Sequence, residues 1–124
     1  MSDVIRLSSV TLNCRDAPAL ADFYADITGG RVSFSGGGWA TVTTAGGRID
    51  LQAVEGYERP RWPGPAGTSL LHLDFLVDDL AAAEQRVLRA GAVKLDFQPN
   101  AEHCLVFADP AGHPFCLTTV DELG

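Results

Sequence analysis

The sequence predicts an α+β fold: two βαβββ modules forming an eight-stranded curved mixed sheet, with the helices on its outer face. Three observations carry this prediction. Short stretches alternate apolar and polar residues with period two, separated by glycine- and proline-marked turns. Two helical stripes each begin after an aspartate and stop at a glycine. The order strand, helix, three strands then occurs twice, with Asp16 falling on Asp78 or Asp79 when the halves are aligned.

In the first half, Ile5 to Asn13 alternates, with Val10, Leu12 and Cys14 on an apolar face and Ser9, Thr11 and Asn13 opposite. Asp16 is the helix N-cap, and Pro18 falls in the first turn, where its missing N–H costs little. Leu20, Phe23, Tyr24 and Ile27 form the buried stripe, and Gly29-Gly30 ends the helix. Arg31 to Ser35, Trp39 to Thr44 and Arg48 to Val54 read as an antiparallel meander turning at Gly36-Gly37-Gly38 and Gly46-Gly47. The glycine triplet has no GK[ST] sequel and precedes a strand, so it is a turn and not a phosphate loop.

The second half repeats the plan. Leu70 to Asp79 alternates, with Leu71, Leu73, Phe75 and Val77 facing the core and His72 and Asp74 side by side on the other face. Asp78 or Asp79 caps a helix carrying Leu80, Ala83, Val87 and Leu88, which Gly91 terminates. Val93 to Phe97, His103 to Ala108 and Pro114 to Thr119 are the remaining strands, with Asp109-Pro-Ala-Gly112 turning between the last two. Residues 1–124 are thus one domain, with module one over 4–55, a proline-rich linker over 56–68 and module two over 69–120.

Composition limits the functional classes. With 46% hydrophobic and 20% charged residues, the chain is an ordinary globular one. A net charge of −7 argues against nucleic acid and anionic membrane surfaces, both of which demand basic patches. Three cysteines without CxxC spacing make no disulfide framework, and no secretion signal opens the chain, so a reducing cytoplasm is expected.

If helices cover one side of the sheet, the other side collects Ser9, Thr11, Asn13, Asp50, Gln52, His72, Asp74, Cys116 and Thr118. Such residues suit a ligand cleft better than a solvated face, which is usually rich in Lys and Glu. Trp62, in the proline-rich run, is the candidate pocket lid. His72 and Asp74, about 6.5–7 Å apart at Cα, could act as an acid/base and its orienter. Cys14 and Cys104 read as packing residues, and Cys116 reads better as a small buried thiol than as a nucleophile.

The stretch Asp16-Ala-Pro-Ala-Leu-Ala-Asp-Phe-Tyr24 with Gly29-Gly30, then His72-Leu-Asp-Phe-Leu-Val-Asp-Asp79, then Asp109-Pro-Ala-Gly-His-Pro-Phe115, together resemble the glyoxalase, bleomycin-resistance and extradiol dioxygenase superfamily, whose fold is called vicinal oxygen chelate. The resemblance implies paired βαβββ modules around a cup, a small-molecule ligand or substrate, and often a homodimer. It also implies metal-ligand positions at Ser9, Gln52, His72 and Cys116, where working members carry His, Glu or Gln, His and Glu. Only His72 and Gln52 match, so no metal is expected. The competing arrangement is a zinc-type cation at His72, Gln52 and Cys116. Two functional classes follow: a glyoxalase-like lyase or isomerase using His72, and a metal-free sequestering protein of the bleomycin-resistance type.

Overall fold

The computed structural model describes residues 3–61 and 71–120. The chain forms two compact units, Met1–Tyr57 and Glu58–Gly124. Each contains a four-stranded mixed sheet and one helix.

In the first unit β1 (Val10–Cys14) leads into α1 (Ala17–Thr28), followed by β2 (Arg31–Gly36), β3 (Trp39–Thr44) and β4 (Gly47–Ala53). The sheet order is β1-β4-β3-β2, with β1 parallel to β4 and the meander antiparallel. The Asp16 carboxylate accepts the Ala19 N–H at 3.0 Å, and Gly29 closes α1 in the left-handed conformation at φ 69°. Leu20, Ala21, Phe23 and Tyr24 are buried as α1 packs across β2, β3 and β4. They meet Ala40, Val42, Ile49 and Leu51, which the antiparallel register sets opposite one another as Ala40–Leu51 and Val42–Ile49. The turn out of α1 needs glycine at position 30 because a Cβ there would collide with the Thr43 carbonyl oxygen.

The second unit repeats the topology as β5 (Leu73–Leu76), α2 (Leu80–Ala90), β6 (Val93–Lys94), β7 (Cys104–Ala108) and β8 (Pro114–Thr118), in the order β5-β8-β7-β6. Asp79, not Asp78, is the N-cap, accepting the Ala82 N–H at 3.1 Å, and Gly91 closes α2 at φ 117°. Val87 is the buried contact of a helix that packs on β7 and β8, and Glu84 pairs with Lys94 at 3.0 Å. Phe115 is the aromatic centre, meeting Phe107 at 5.6 Å and Phe75 at 5.8 Å between ring centroids. Asp109 is fully buried. One of its carboxylate oxygens accepts the Ala111 and His113 N–H groups, pinning the β7–β8 turn.

The α+β class and the two βαβββ modules are therefore present, but the strands hydrogen-bond as two four-stranded sheets and not as one of eight. Period-two alternation assigns each strand its faces but says nothing about which edges pair. Three strands are also shorter than their patterns predict. Pairing with β4 begins only at Val10, which leaves Ile5 96% and Leu7 90% exposed. β5 begins at Leu73, so Leu71 is exposed and not a core residue. β6 stops at Lys94 because the Gln98 side chain takes over its pairing, donating to the Val106 carbonyl at 2.8 Å and accepting the Val106 N–H at 2.9 Å.

Gly30→Ala is expected to destabilise the first unit by about 1–3 kcal/mol, since the extra methyl meets rigid backbone. Asp79→Ala is expected to cost about 1 kcal/mol through loss of the cap. Urea denaturation of each variant against wild type measures both.

Candidate functional site

The polar centre of the second unit is set by the parallel register of β5 and β8, which places Asp74 directly beside Cys116. His72 lies immediately before β5, and its Nε2 approaches the Asp74 Oδ1 to 3.3 Å. The His72 and Asp74 side chains are 34% and 53% exposed, so this contact adds at most about 1 kcal/mol to stability and serves chiefly to orient the ring. Cys116 is buried, and its Sγ lies within 4.8 Å of an Asp74 carboxylate oxygen and a His72 ring nitrogen. Burial, then Cys104, then the negative charge of Asp74 push the Cys116 thiol far above its ordinary range. It is therefore a neutral thiol and not a standing thiolate nucleophile.

Among the described residues, ligand-type atoms of His72, Asp74 and Cys116 all lie within 4.8 Å of one another. Beside them opens a cavity of about 460 Å³ lined by Asp74, Leu76, Asn100, His103, Cys104, Thr118 and Val120. That volume lies in the range of small-molecule sites. Its wall mixes carboxylate, amide, imidazole, thiol and hydroxyl groups with two aliphatic side chains, which suits a small ligand bearing hydrogen-bonding groups.

The other polar candidates belong to the first unit and form a different kind of network. Asp50, 1% exposed, accepts the Ser9 hydroxyl at 2.7 Å, the Thr41 hydroxyl at 2.7 Å and the Arg48 guanidinium at 3.0 Å. Burial alone would raise its carboxyl. The three hydrogen bonds and the Arg48 charge outweigh that and hold it below the ordinary carboxylate value. Ser9 is thus engaged in satisfying a buried carboxylate. Thr11, Asn13 and Gln52 are exposed on β1 and β4. Trp62 lies outside the described residues.

Of the sequence-predicted site residues, His72, Asp74 and Cys116 converge as a group. The expectation of a metal-free centre is not supported, because imidazole, carboxylate and thiol donors converge there. Asp74 joins His72 and Cys116 in this group. Sequence reasoning also misses Cys104, Asn100 and His103 as cavity residues. Strand parity contains a signal for Cys104, since Leu105 and Phe107 take the core side and leave it on the face of Cys116.

A family model described as a glyoxalase-like domain matches residues 9–118. The chain belongs to this glyoxalase-like family. Its fold is that of the vicinal oxygen chelate superfamily, as the solved structures agree. A variant of the fosfomycin resistance protein FosX from Listeria monocytogenes, complexed with Mn(II) and 1S,2S-dihydroxypropylphosphonic acid, is 17% identical at a TM-score of 0.71, covering 94% of this chain and 90% of that one. FosX from Mesorhizobium loti is 19% identical at a TM-score of 0.68, covering 94% and 93%. A possible glyoxalase from Bacillus cereus is 16% identical at a TM-score of 0.68, covering 93% and 99%. At these identities the likeness is one of fold. No curated protein matches the chain. Among the described residues no helix is long and apolar enough to cross a membrane.

The lowered Asp50 carboxyl stabilises the fold above the ordinary carboxylate value of 3.8, and this contribution is lost as pH falls through the folded-state value. The stability gap between wild type and Asp50→Asn is therefore expected to be widest near neutral pH and to narrow under acid conditions. Chemical denaturation across that range measures it.

Proposed function

We propose that this glyoxalase-like protein binds a small polar metabolite in the cavity of its second module and acts on it by proton transfer at His72. The carrying observation is the 3.3 Å approach of His72 Nε2 to Asp74, a residue that also lines the cavity. Asp74 orients the imidazole, and His72 exchanges a proton with the ligand, in the manner of a lyase or isomerase. Asn100, His103 and Thr118 supply hydrogen bonds that fix the ligand, while Leu76 and Val120 give it an apolar wall. Thr11, Asn13, Gln52 and Trp62 remain proposed ligand contacts, and a cytoplasmic homodimer is the proposed setting.

The second reading, sequestration of a small molecule without turnover, is favoured by Cys116 standing where the family resemblance calls for a glutamate ligand. FosX from Listeria was solved with Mn(II). The four positions implied here by resemblance do not suit that hard cation: Ser9 is committed to Asp50 and Cys116 offers sulfur. A divalent cation at His72, Asp74 and Cys116 fits the donors better, and when bound it would supply Lewis-acid polarisation.

A thermal-shift screen of metabolites and antibiotics is expected to yield a ligand that raises the melting temperature. With that ligand, His72→Ala is expected to lower turnover by about 10²–10⁴-fold if proton transfer is the reaction. Tight binding that never leads to turnover establishes sequestration instead. A screen without any stabilising ligand would sink both readings.

A further inference from the structure

The charge around the second-unit cavity is lopsided. Among the described residues its wall holds one carboxylate, Asp74, and neither lysine nor arginine. The one basic side chain there is His103. Its Nε2 stands 3.9 Å from the Glu102 carboxylate, so any positive charge on that ring is met by a second acid. The register fixes where the Asp74 charge lies. Leu76 pairs with Thr118 and Thr118 with Cys104, so one row of side chains crosses β5, β8 and β7 on the cavity face. Asp74 stands two residues before Leu76 on the same face of β5. Asn100 and His103 lie before the start of β7, where the Asn100 carbonyl accepts the N–H groups of His103 and Cys104 at 3.1 and 2.9 Å. The carboxylate is therefore on the β5 bank and the amide and imidazole are on the β7 bank, two strand spacings or about 10 Å away at the backbone.

We propose that the cavity takes a small organic cation, an amino alcohol whose primary ammonium sits on Asp74 and whose hydroxyl groups reach Thr118 and Asn100. This rests on the reading of the cavity as the small-molecule site and names the charge of its ligand. Asp74 has capacity for it: an ionised carboxylate accepts about four hydrogen bonds, and His72 approaches one oxygen at 3.3 Å. Hydrogen bonds from an ammonium to a carboxylate are about twice as strong as neutral ones. Asn100 and Thr118 both donate and accept, which suits hydroxyl groups. Leu76 and Val120 cover the carbon chain. Sharing Asp74 also brings the amine end of the ligand beside His72, the group assigned to proton transfer.

An anionic ligand meets the opposite case. Its charge faces Asp74, and no fixed cation among the described lining residues answers it. The net charge of −7 works in the same direction, enriching cations near the chain and depleting anions.

Titration of the isotope-labelled full chain with serinol, glycerol and glycerate tests the assignment, since these small polyols carry a positive, no and a negative charge. Amide chemical shifts of Asp74, Asn100 and Thr118 report occupancy of the cavity. Serinol is expected to bind at least about tenfold more tightly than glycerol, the worth of one hydrogen bond to a charged group, and glycerate is expected to leave the shifts unmoved. Asp74→Asn, at a half-exposed position where folding is not at stake, removes the charge and keeps the shape, so serinol should fall to the level of glycerol. Serinol binding no more tightly than glycerol, glycerate binding in the cavity, or a serinol preference that survives Asp74→Asn overturns the proposal. If serinol fails while another metabolite raises the melting temperature, the cationic ligand falls and the small-molecule reading stands. If serinol binds as expected while His72→Ala leaves turnover unchanged, the cationic ligand stands and proton transfer at His72 falls.

Discussion

The parallel pairing of β5 with β8 is the constraint on which the rest of the candidate site depends. It sets Asp74 beside Cys116, and everything chemical about the second module follows from that adjacency. The carboxylate holds the His72 ring on its exposed side, and on the other it adds to burial and Cys104 in keeping the Cys116 thiol protonated. The antiparallel β7–β8 register then adds Cys104 from the far flank. A slip of one residue would turn every one of these side chains to the opposite face. The Phe75, Phe107 and Phe115 cluster opposes such a slip, because these rings are the apolar counterweight on the other face of the same strands.

The two modules use one topology for different ends. In the first, the polar face of β4 is locked: Asp50 is buried and satisfied by Ser9, Thr41 and Arg48, which makes it a structural network with its hydrogen-bonding capacity engaged. In the second, the corresponding polar face stays partly open, with His72 and Asp74 exposed beside a cavity. A buried charge that is fully paired specifies a fold. A half-exposed pair beside a cavity is available to a ligand, and chemistry is therefore assigned to the second module.

Much of the architecture was legible in the residues. Asp16 and Asp79 announce the helices because only a short acceptor side chain can take the orphan N–H groups there, and Gly29 and Gly91 end them because a left-handed residue is needed. His72 and Asp74 were legible as same-face neighbours by parity alone. What was not legible depends on contacts between distant residues. Nothing local says that Gln98 will substitute for the continuation of β6, or that Asn100 and His103 beyond it line a cavity. The placing of Cys104 on the face of Cys116 likewise needs the β7–β8 register, and the commitment of Ser9 to Asp50 needs β1 docked on β4.

The most direct test of the Asp74–Cys116 adjacency is the pH profile of Cys116 alkylation, assigned by peptide mapping on metal-free protein, in wild type and in Asp74→Asn. The wild-type thiol should react slowly and gain reactivity only well above the ordinary thiol value of 9.0. In Asp74→Asn the profile should move to lower pH, because the charge that opposes the thiolate is gone. Identical profiles in the two proteins, or a wild-type Cys116 already fully reactive near neutral pH, would contradict the account.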